Sequence, residues 1–328
     1  MASGDAPSSM APAAGEAAAP DQDEVVREFG PLLRVYKSGR LERPLDAPPV
    51  APGLDAATGV DSKDVHLGDY SARLYLPLAA AARDGKLPII VYVHGGGFVA
   101  ESAASPNYHR FLNLLAAACP AVGVSVEYRL APEHPLPAAY DDCLSALGWV
   151  LSAADPWVSA HGDLGRVFLA GDSAGANICH HLAMHHPEVP VPRLRGAVLI
   201  HPWFWGSEAV GGETRDPADR ARGAGLWMYV CPGTTGMDDP RMNPMAPGAP
   251  GLERLAFDRV MVCAAEVDFL RWRGRAYAEA VAAVRGEAAV ELLETEGEDH
   301  VFYLFKPECD KAKEMLDRMV AFVNAGTA

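Results

Sequence analysis

Positive charge is scarce in this chain of 328 residues, where 28 Lys and Arg stand against 43 Asp and Glu for a net charge of −15. That deficit excludes the clustered basic surface that nucleic acid or an anionic membrane rewards, so neither is expected as a partner. Cysteine is sparse and unpaired. The six cysteines (119, 143, 179, 231, 263 and 309) form no C-x-x-C and sit mostly inside apolar runs. Buried free thiols in a reducing compartment fit this better than a disulfide framework or a zinc site. Long apolar runs are missing too. The longest, Phe111 to Val126, is broken by Asn113, Pro120 and Ser125, so no membrane span is expected. The first 26 residues hold no basic residue before Arg27 but do hold Asp5, Glu16 and Asp21. A secretory leader or an Arg-rich transit peptide is therefore disfavoured, and a cytoplasmic location is the expectation. Nucleotide-binding glycine patterns are also absent: Gly85-Lys86 has Ala80 where a G-x-x-x-x-G-K would begin, and no G-x-G-x-x-G opens a helix.

Hydrophobic residues at 49% and charged residues at 22% are ordinary globular values, and the length suits one large α/β domain with an insertion. Residues 1–23, built of Ala, Pro, Ser, Gly and acids, are too poor in large apolar groups to fold, so they read as a disordered tail ahead of a domain over 24–328. Val25, Val26, Phe29, Leu32 and Leu33 form an apolar helical stripe, and Arg34 to Arg43 reads as two short strands about Ser38-Gly39. This element belongs to surface packing or to a lid. Val60–Val65 and Ala72–Leu76 alternate like an antiparallel pair.

From Leu87 the rhythm changes to βα units. Strands are expected at 87–93, 121–127, 166–170, 195–200, 258–265 and 289–295, with helices at 107–118, 138–152, 174–186, 272–285 and 309–323. Such alternation predicts a mostly parallel sheet covered by helices on both faces. Between 201 and 257 the pattern lapses into aromatics, a helical stretch near 216–230 and a Pro/Gly-rich loop, which reads as an inserted cap. No internal repeat is present.

One strand-to-helix corner draws the chemistry together. Arg166 to Ala170 feeds Gly171-Asp-Ser-Ala-Gly175, a G-x-S-x-G pattern that would lift Ser173 Oγ above the sheet at a helix N-terminus. The glycines on either side make room for a strained nucleophile. A serine hydroxyl needs a base, an acid to orient that base, and donors for the developing oxyanion. The run His94-Gly-Gly-Gly-Phe98 comes straight off a buried strand. Three glycines there make sense if the backbone itself approaches a ligand, so the amides of Gly96, Gly97 and Ala174 are the expected oxyanion hole, with His94 bracing the loop. The strand ending near Ala265 delivers Glu266 and Asp268; Asp268, on the shorter side chain, is the preferred acid. His300, directly after the last strand, is the expected base, and the order Ser, Asp, His is the one an α/β-hydrolase sheet imposes. Asp299 is a poor rival for the acid because it adjoins His300. His180, His181, His185 and His186 share a helix, but no H-E-x-x-H accompanies them, so no metal is expected. Phe98, Trp203, Trp227 and Val301 are candidates for the wall of a substrate pocket.

His94-Gly-Gly-Gly-Phe98, Glu127-Tyr-Arg-Leu-Ala-Pro-Glu-His-Pro135, Gly171-Asp-Ser-Ala-Gly-Ala-Asn177 and Gly297-Glu-Asp-His-Val-Phe302 together resemble the plant carboxylesterases of the hormone-sensitive-lipase-like branch of α/β hydrolases. Tyr36 to Arg43 and Lys306 to Asp310 look most similar to the subgroup of 2-hydroxyisoflavanone dehydratases and tuliposide-converting enzymes. The resemblance implies a lid made of residues 24–45 and 201–250, a triad of Ser173, Asp268 and His300, no cofactor, and a small uncharged ester as substrate. It also offers a dehydratase on the same site and a gibberellin-receptor-like binder as alternatives. Against these, His300 is present where the receptors have lost the triad histidine, and Ser173 stands where legume dehydratases tend to carry Thr. The sequence carries no signal for an oligomeric state.

Overall fold

Leu87–Val93, apolar throughout, lies in the middle of an eight-stranded sheet in the computed structural model, which describes residues 23–185 and 194–325. In chain order the elements are β1 (Val25–Phe29), β2 (Leu33–Tyr36), β3 (Leu41–Glu42), β4 (Val60–His66), β5 (Ser71–Pro77), α1 (Leu78–Ala81), β6 (Leu87–Val93), α2 (Pro106–Ala118), β7 (Val122–Glu127), α3 (Ala138–Leu151), α4 (Pro156–His161), β8 (Gly162–Asp172), α5 (Ala174–His185), β9 (Leu194–Ile200), α6 (Pro217–Val230), β10 (Phe257–Ala265), α7 (Arg271–Arg285), β11 (Val290–Thr295), α8 (Phe302–Phe305) and α9 (Asp310–Asn324). The large sheet runs β11-β10-β9-β8-β6-β7-β5-β4. Its pairs from β11 to β7 are parallel, and β4 and β5 join antiparallel at one edge.

Alternate residues of the central strands enter opposite layers, as a period of two requires. Ile89, Val91 and Val93 of β6 join Val167 and Leu169 of β8 in one buried cluster, while Ile90 and Tyr92 join Phe168 and Ala170 in the other. Helices close both faces. On α9 the buried residues Ala312, Met315, Met319, Phe322 and Val323 fall on one stripe, and a Cβ on Gly196 of β9 would meet Phe322 at 3.0 Å. No helix among the described residues is long and apolar enough to cross a membrane.

The N-terminal segment departs from the expected helix. Gly30 takes φ 52° and Pro31 lacks an N–H, so Gly30-Pro31 cuts the apolar stripe into a turn closed by Leu32 N–H donating to Phe29 O at 3.1 Å. The halves on either side pair as β1 and β2, with Val25 opposite Tyr36 and Phe29 opposite Leu33, and β3 completes a separate three-stranded sheet. Apart from Asp23, the expected tail lies outside the described residues, as does His186. Asp23 is ordered: Ser38 N–H donates to its Oδ1 at 3.0 Å.

The insertion after β9 is anchored by buried polar groups. Asn177 of α5 donates to Trp203 O at 3.0 Å and Arg241 O at 2.7 Å while accepting from Tyr140 Oη at 2.7 Å. Glu213 is clamped between Arg220 of α6 at 3.0 Å and Arg273 of α7 at 2.7 Å, with no exposure of its side chain. Removing one member of a buried ionic group strands the others without a counter-charge. Glu213→Ala is therefore expected to cost about 3–5 kcal/mol in urea unfolding. Glu291→Ala, which breaks the half-exposed pair with Arg318, costs at most about 1 kcal/mol once solvent screening is counted. Equal effects of the two substitutions would contradict the clamp.

Candidate active site

Five of the six non-glycine residues with positive φ among the described residues, Phe98, Glu101, Ser173, His201 and Val301, gather at the C-terminal edge of the sheet. Strain of this kind persists where surrounding structure over-determines the backbone. At Ser173, φ is 51°, and the turn leaves no room beside it: a Cβ on Gly175 would lie 2.0 Å from Val93 O, and one on Gly171 would lie 2.7 Å from the Gly175 carbonyl carbon. Ser173 N–H donates to Ile200 O at 2.9 Å, and Ser173 O accepts from Trp203 N–H at 3.0 Å. The corner is thereby fixed between β8, β9 and α5.

The end of β6 meets this corner through its glycines. Gly96 and Gly97 have φ of 95° and 62°, and a Cβ on Gly96 would stand 2.1 Å from Ala100 O. Val99 and Ala100 N–H both donate to Gly96 O at 3.0 Å, which turns that carbonyl away. The amides of Gly96, Gly97 and Ala174 donate to no other described residue. His94 braces the loop as expected, its ring stacked on Tyr128 at 4.3 Å and its Nδ1 2.8 Å from Gly95 O.

The loops after β10 and β11 are laced together. Glu266 N–H donates to Thr295 O and Val267 N–H to Glu298 O, both at 2.9 Å, and Gly297 N–H donates to Glu266 Oε2 at 2.8 Å. Glu266 thus ties the two loops, and Asp268 is the acid that meets the imidazole: its Oδ2 lies 2.7 Å from His300 Nδ1. Asp299 accepts from the His300 N–H at 2.7 Å and does not orient the ring. Burial works against the His300 cation, yet the hydrogen bond and charge of Asp268 outweigh it and raise the pKa above its ordinary 6.5. Burial likewise pushes the Asp268 pKa up, but the hydrogen bond and charge of His300, with the Leu270 N–H, hold it below the ordinary carboxylate value. In this conformation Ser173 and His300 line one cavity, with no hydrogen bond between Ser173 Oγ and the ring.

Two participants escaped sequence reading. Asp172, in the variable place of G-x-S-x-G, is buried beneath the corner and accepts from Tyr92 Oη at 2.7 Å and Tyr108 Oη at 2.8 Å. Tyr108 Oη in turn accepts from Gly95 N–H at 2.9 Å, and Tyr92 Oη lies 3.0 Å from Tyr303 Oη. Burial raises the Asp172 pKa in spite of these donors. His201, after β9, accepts from Val301 N–H through Nδ1 at 2.9 Å; burial first, then the His300 charge, pull its pKa down to about 3. Ligating atoms of His201, Asp268 and His300 lie within 4.8 Å of one another. The hydrogen bonds of the two Nδ1 atoms, to Asp268 and from Val301 N–H, make this a histidine–carboxylate pair buttressed by a neutral imidazole.

A cavity of about 770 Å³ opens above Ser173. Trp203 and Val301 line it. Phe98 and Trp227 do not: both are fully buried behind Trp203, the Phe98 ring 5.7 Å from Trp203 and 6.4 Å from Trp227. The positive φ of 64° at Phe98 accompanies a ring packed in the core, and Trp227 is held by its Nε1–H on Thr234 Oγ1 at 2.8 Å. Their places in the wall are taken by Phe29 and Leu32 from the N-terminal sheet, Leu226 from α6, and Phe269, Leu304 and Phe305 from the acid and base loops.

A family model described as alpha/beta hydrolase fold matches residues 90–304. Among curated relatives, a tulip "Tuliposide A-converting enzyme 1, chloroplastic" is 45% identical over 92% of this chain and 78% of its own length. The Arabidopsis thaliana "Probable carboxylesterase 2" is 42% identical over 92% and 97%, and the Glycyrrhiza echinata "2-hydroxyisoflavanone dehydratase" is 42% identical over 92% and 96%. Among solved structures, a Pyrobaculum calidifontis esterase overlays with a TM-score of 0.66 at 30% identity, covering 84% of this chain and 87% of that one. The relatives correct the expected cytoplasmic location. Tulip enzymes of this similarity are named chloroplastic or amyloplastic, which points to plastids, so the scarcity of basic residues before Arg27 was not a guide to compartment.

The balance at His300 is measurable. In a ring-resolved NMR titration His300 is expected to titrate above 6.5, and Asp268→Asn is expected to lower it, because the hydrogen bond and charge of Asp268 are lost and burial is then opposed only by the charges of Asp172 and Asp299. A wild-type His300 titrating below 6.5 would mean that burial wins.

Proposed function

This chain belongs to the alpha/beta hydrolase family and is a carboxylic ester hydrolase, and we propose that it is a serine carboxylesterase acting on small, largely uncharged esters through Ser173, His300 and Asp268. The observation that carries this reading is the part-buried His300–Asp268 hydrogen bond of 2.7 Å facing the same cavity as a serine held at φ 51°.

Neutral His300, with Nδ1–H donated to Asp268, has Nε2 free to accept the Ser173 proton. Seating of substrate brings hydroxyl and ring into hydrogen-bond contact, as such contacts tighten in the Michaelis complex. Oγ attacks the acyl carbon, and the carbonyl oxygen takes the negative charge. The amides of Gly96, Gly97 and Ala174, which have no other acceptor among the described residues, receive that oxyanion; their donors are fixed before the reaction and need no reorganisation. The imidazolium gives its proton to the leaving alcohol, and water, deprotonated by the same ring, resolves the acyl-enzyme. No cofactor enters these steps. The mostly apolar walls and the strained, packed glycine loop favour an uncharged acyl or alcohol part, with β1–β3 and the 201–250 insertion serving as a cap. A dehydratase on this site would dispense with the nucleophile, and the strained serine at the corner favours hydrolysis over it.

Purified protein is expected to hydrolyse short p-nitrophenyl esters. Ser173→Ala is expected to lose about 10⁴- to 10⁶-fold in kcat. Gly96→Ala, whose Cβ meets Ala100 O, is expected to lose on the order of a hundredfold or more in kcat. Undiminished turnover by Ser173→Ala would end the nucleophile assignment.

A further inference from the structure

Residues 36–43 have no part in the triad or in the cavity wall, yet the last of them reaches the glycine loop. Four residues of the run 96–101 hold positive φ: Gly96 at 95°, Gly97 at 62°, Phe98 at 64° and Glu101 at 70°. A backbone turned this often into the left-handed region persists only where its surroundings over-determine it. Within the loop, Gly96 O accepts two N–H groups. The other ties come from outside. Ala131 N–H donates to Phe98 O at 2.8 Å, Glu101 N–H donates to Asp46 Oδ1 at 2.9 Å, and Arg43 Nε donates to Val99 O.

Arg43 closes a ring of bonds. Its Nη2 donates to Ala131 O at 3.3 Å, and Ala131 N–H is the group that holds Phe98 O. Val99 and Ala131 are buried, and no main-chain N–H among the described residues donates to either carbonyl. One guanidinium therefore serves two buried acceptors that lie 56 and 88 positions further along the chain. A planar fork suits that task, whereas a lysine ammonium is a point charge that cannot span both carbonyls in the same geometry. Nη2 also meets Glu133 Oε2 at 2.6 Å, but that carboxylate is 46% exposed and adds little to the clamp. On the outer side, a Cβ on Gly97 would stand 2.7 Å from Leu226 Cδ2 and 3.0 Å from Leu32 Cδ1. The N-terminal segment thus both covers the loop and ties it down.

We propose that Arg43 is a positioning residue for the oxyanion hole, fixing the amides of Gly96 and Gly97 through the carbonyls of Val99 and Ala131 without touching substrate. This deepens the esterase reading and rests on it. Negative charge on the acyl oxygen develops fully only in the transition state, so a loop held less firmly loses kcat. Binding of the ester's apolar parts, and with it KM, stays much as it was. A residue that merely staples the N-terminal segment to the domain behaves differently: its loss lowers the unfolding temperature and leaves the kcat of each folded site alone.

The test measures kcat and KM on p-nitrophenyl acetate and p-nitrophenyl hexanoate for the wild type, Arg43→Lys and Glu133→Gln, per active site titrated with a fluorophosphonate. Arg43→Lys keeps the charge and the ion pair with Glu133 but not the paired carbonyl bonds. It is expected to lose about tenfold in kcat on both esters, with KM within about twofold of the wild type. Glu133→Gln, which leaves both carbonyl bonds in place, is expected to keep wild-type kinetics. Hexyl trifluoromethyl ketone reports on the hole itself. Ser173 Oγ adds to its carbonyl carbon, the serine proton passes to His300, and the ketone oxygen becomes the oxyanion. Its affinity is expected to fall by about the same tenfold in Arg43→Lys. Unchanged kcat in that variant, a loss confined to KM, or an unchanged ketone affinity overturns the positioning role while leaving the esterase reading intact. Failure of Arg43→Lys to fold where Glu133→Gln folds assigns Arg43 to stability alone and also overturns it. Absence of any ester turnover by the wild type overturns both readings together.

Discussion

The contact between the start of α5 and the end of β6 is the constraint from which the site follows. A Cβ at position 175 would lie 2.0 Å from Val93 O and 2.6 Å from His94 O, so the helix approaches the sheet as closely as a backbone without side chain permits. That approach brings the amide at the helix start next to the glycine loop that continues β6. It also forces Ser173 into the left-handed region at φ 51°, a cost of order 1–3 kcal/mol that the surrounding bonds must hold in place. Ile200 O and Trp203 N–H, at 2.9 and 3.0 Å from the Ser173 backbone, do so from the end of β9 and the loop that follows it.

Electrostatics then divide the corner into layers. Below Ser173 lies Asp172, with its charge spread onto Tyr92 and Tyr108, and Tyr108 reaches on to the Gly95 N–H. The acid beside the nucleophile and the loop that carries the proposed oxyanion donors therefore share one hydroxyl. To the side, Asp268 outweighs the burial penalty on His300, while His201 is kept neutral by burial and holds the backbone of Val301. A ring that is basic enough to take a proton and fixed at both of its neighbours is what general-base chemistry requires. Residues within 28–32 and 222–226 also line the cavity, so its walls come from segments far apart in the chain.

Much of this was legible in the residues, for reasons particular to each. The strands from 87 onward were readable because a parallel sheet covered on both faces demands unbroken apolar runs. Asp268 and His300 were readable because strand ends in such a sheet deliver side chains to one edge. Of the N-terminal strands, β2 and β3 fall largely in the stretch 34–43 that reads as two short strands, but β1 was not legible: Val25, Val26, Phe29 and Leu32 repeat at helical spacing, and Gly30-Pro31 decides the matter through backbone geometry. Trp203 could not be separated in the sequence from Phe98 and Trp227, which share its chemistry but are fully buried and do not line the cavity. Asp172 passed unnoticed because its function depends on tyrosines 80 and 64 positions away, and compartment is an address that the packing of the fold does not express.

The arrangement is tested most directly by a crystal structure of the protein after reaction with a small fluorophosphonate. A phosphonyl group bonded to Ser173 Oγ, with its oxygen about 3 Å from the amide nitrogens of Gly96, Gly97 and Ala174 and the His300 ring beside Oγ, is the predicted result. Phosphonylation of another residue, or an oxygen on Ser173 pointing away from those three amides, would contradict it.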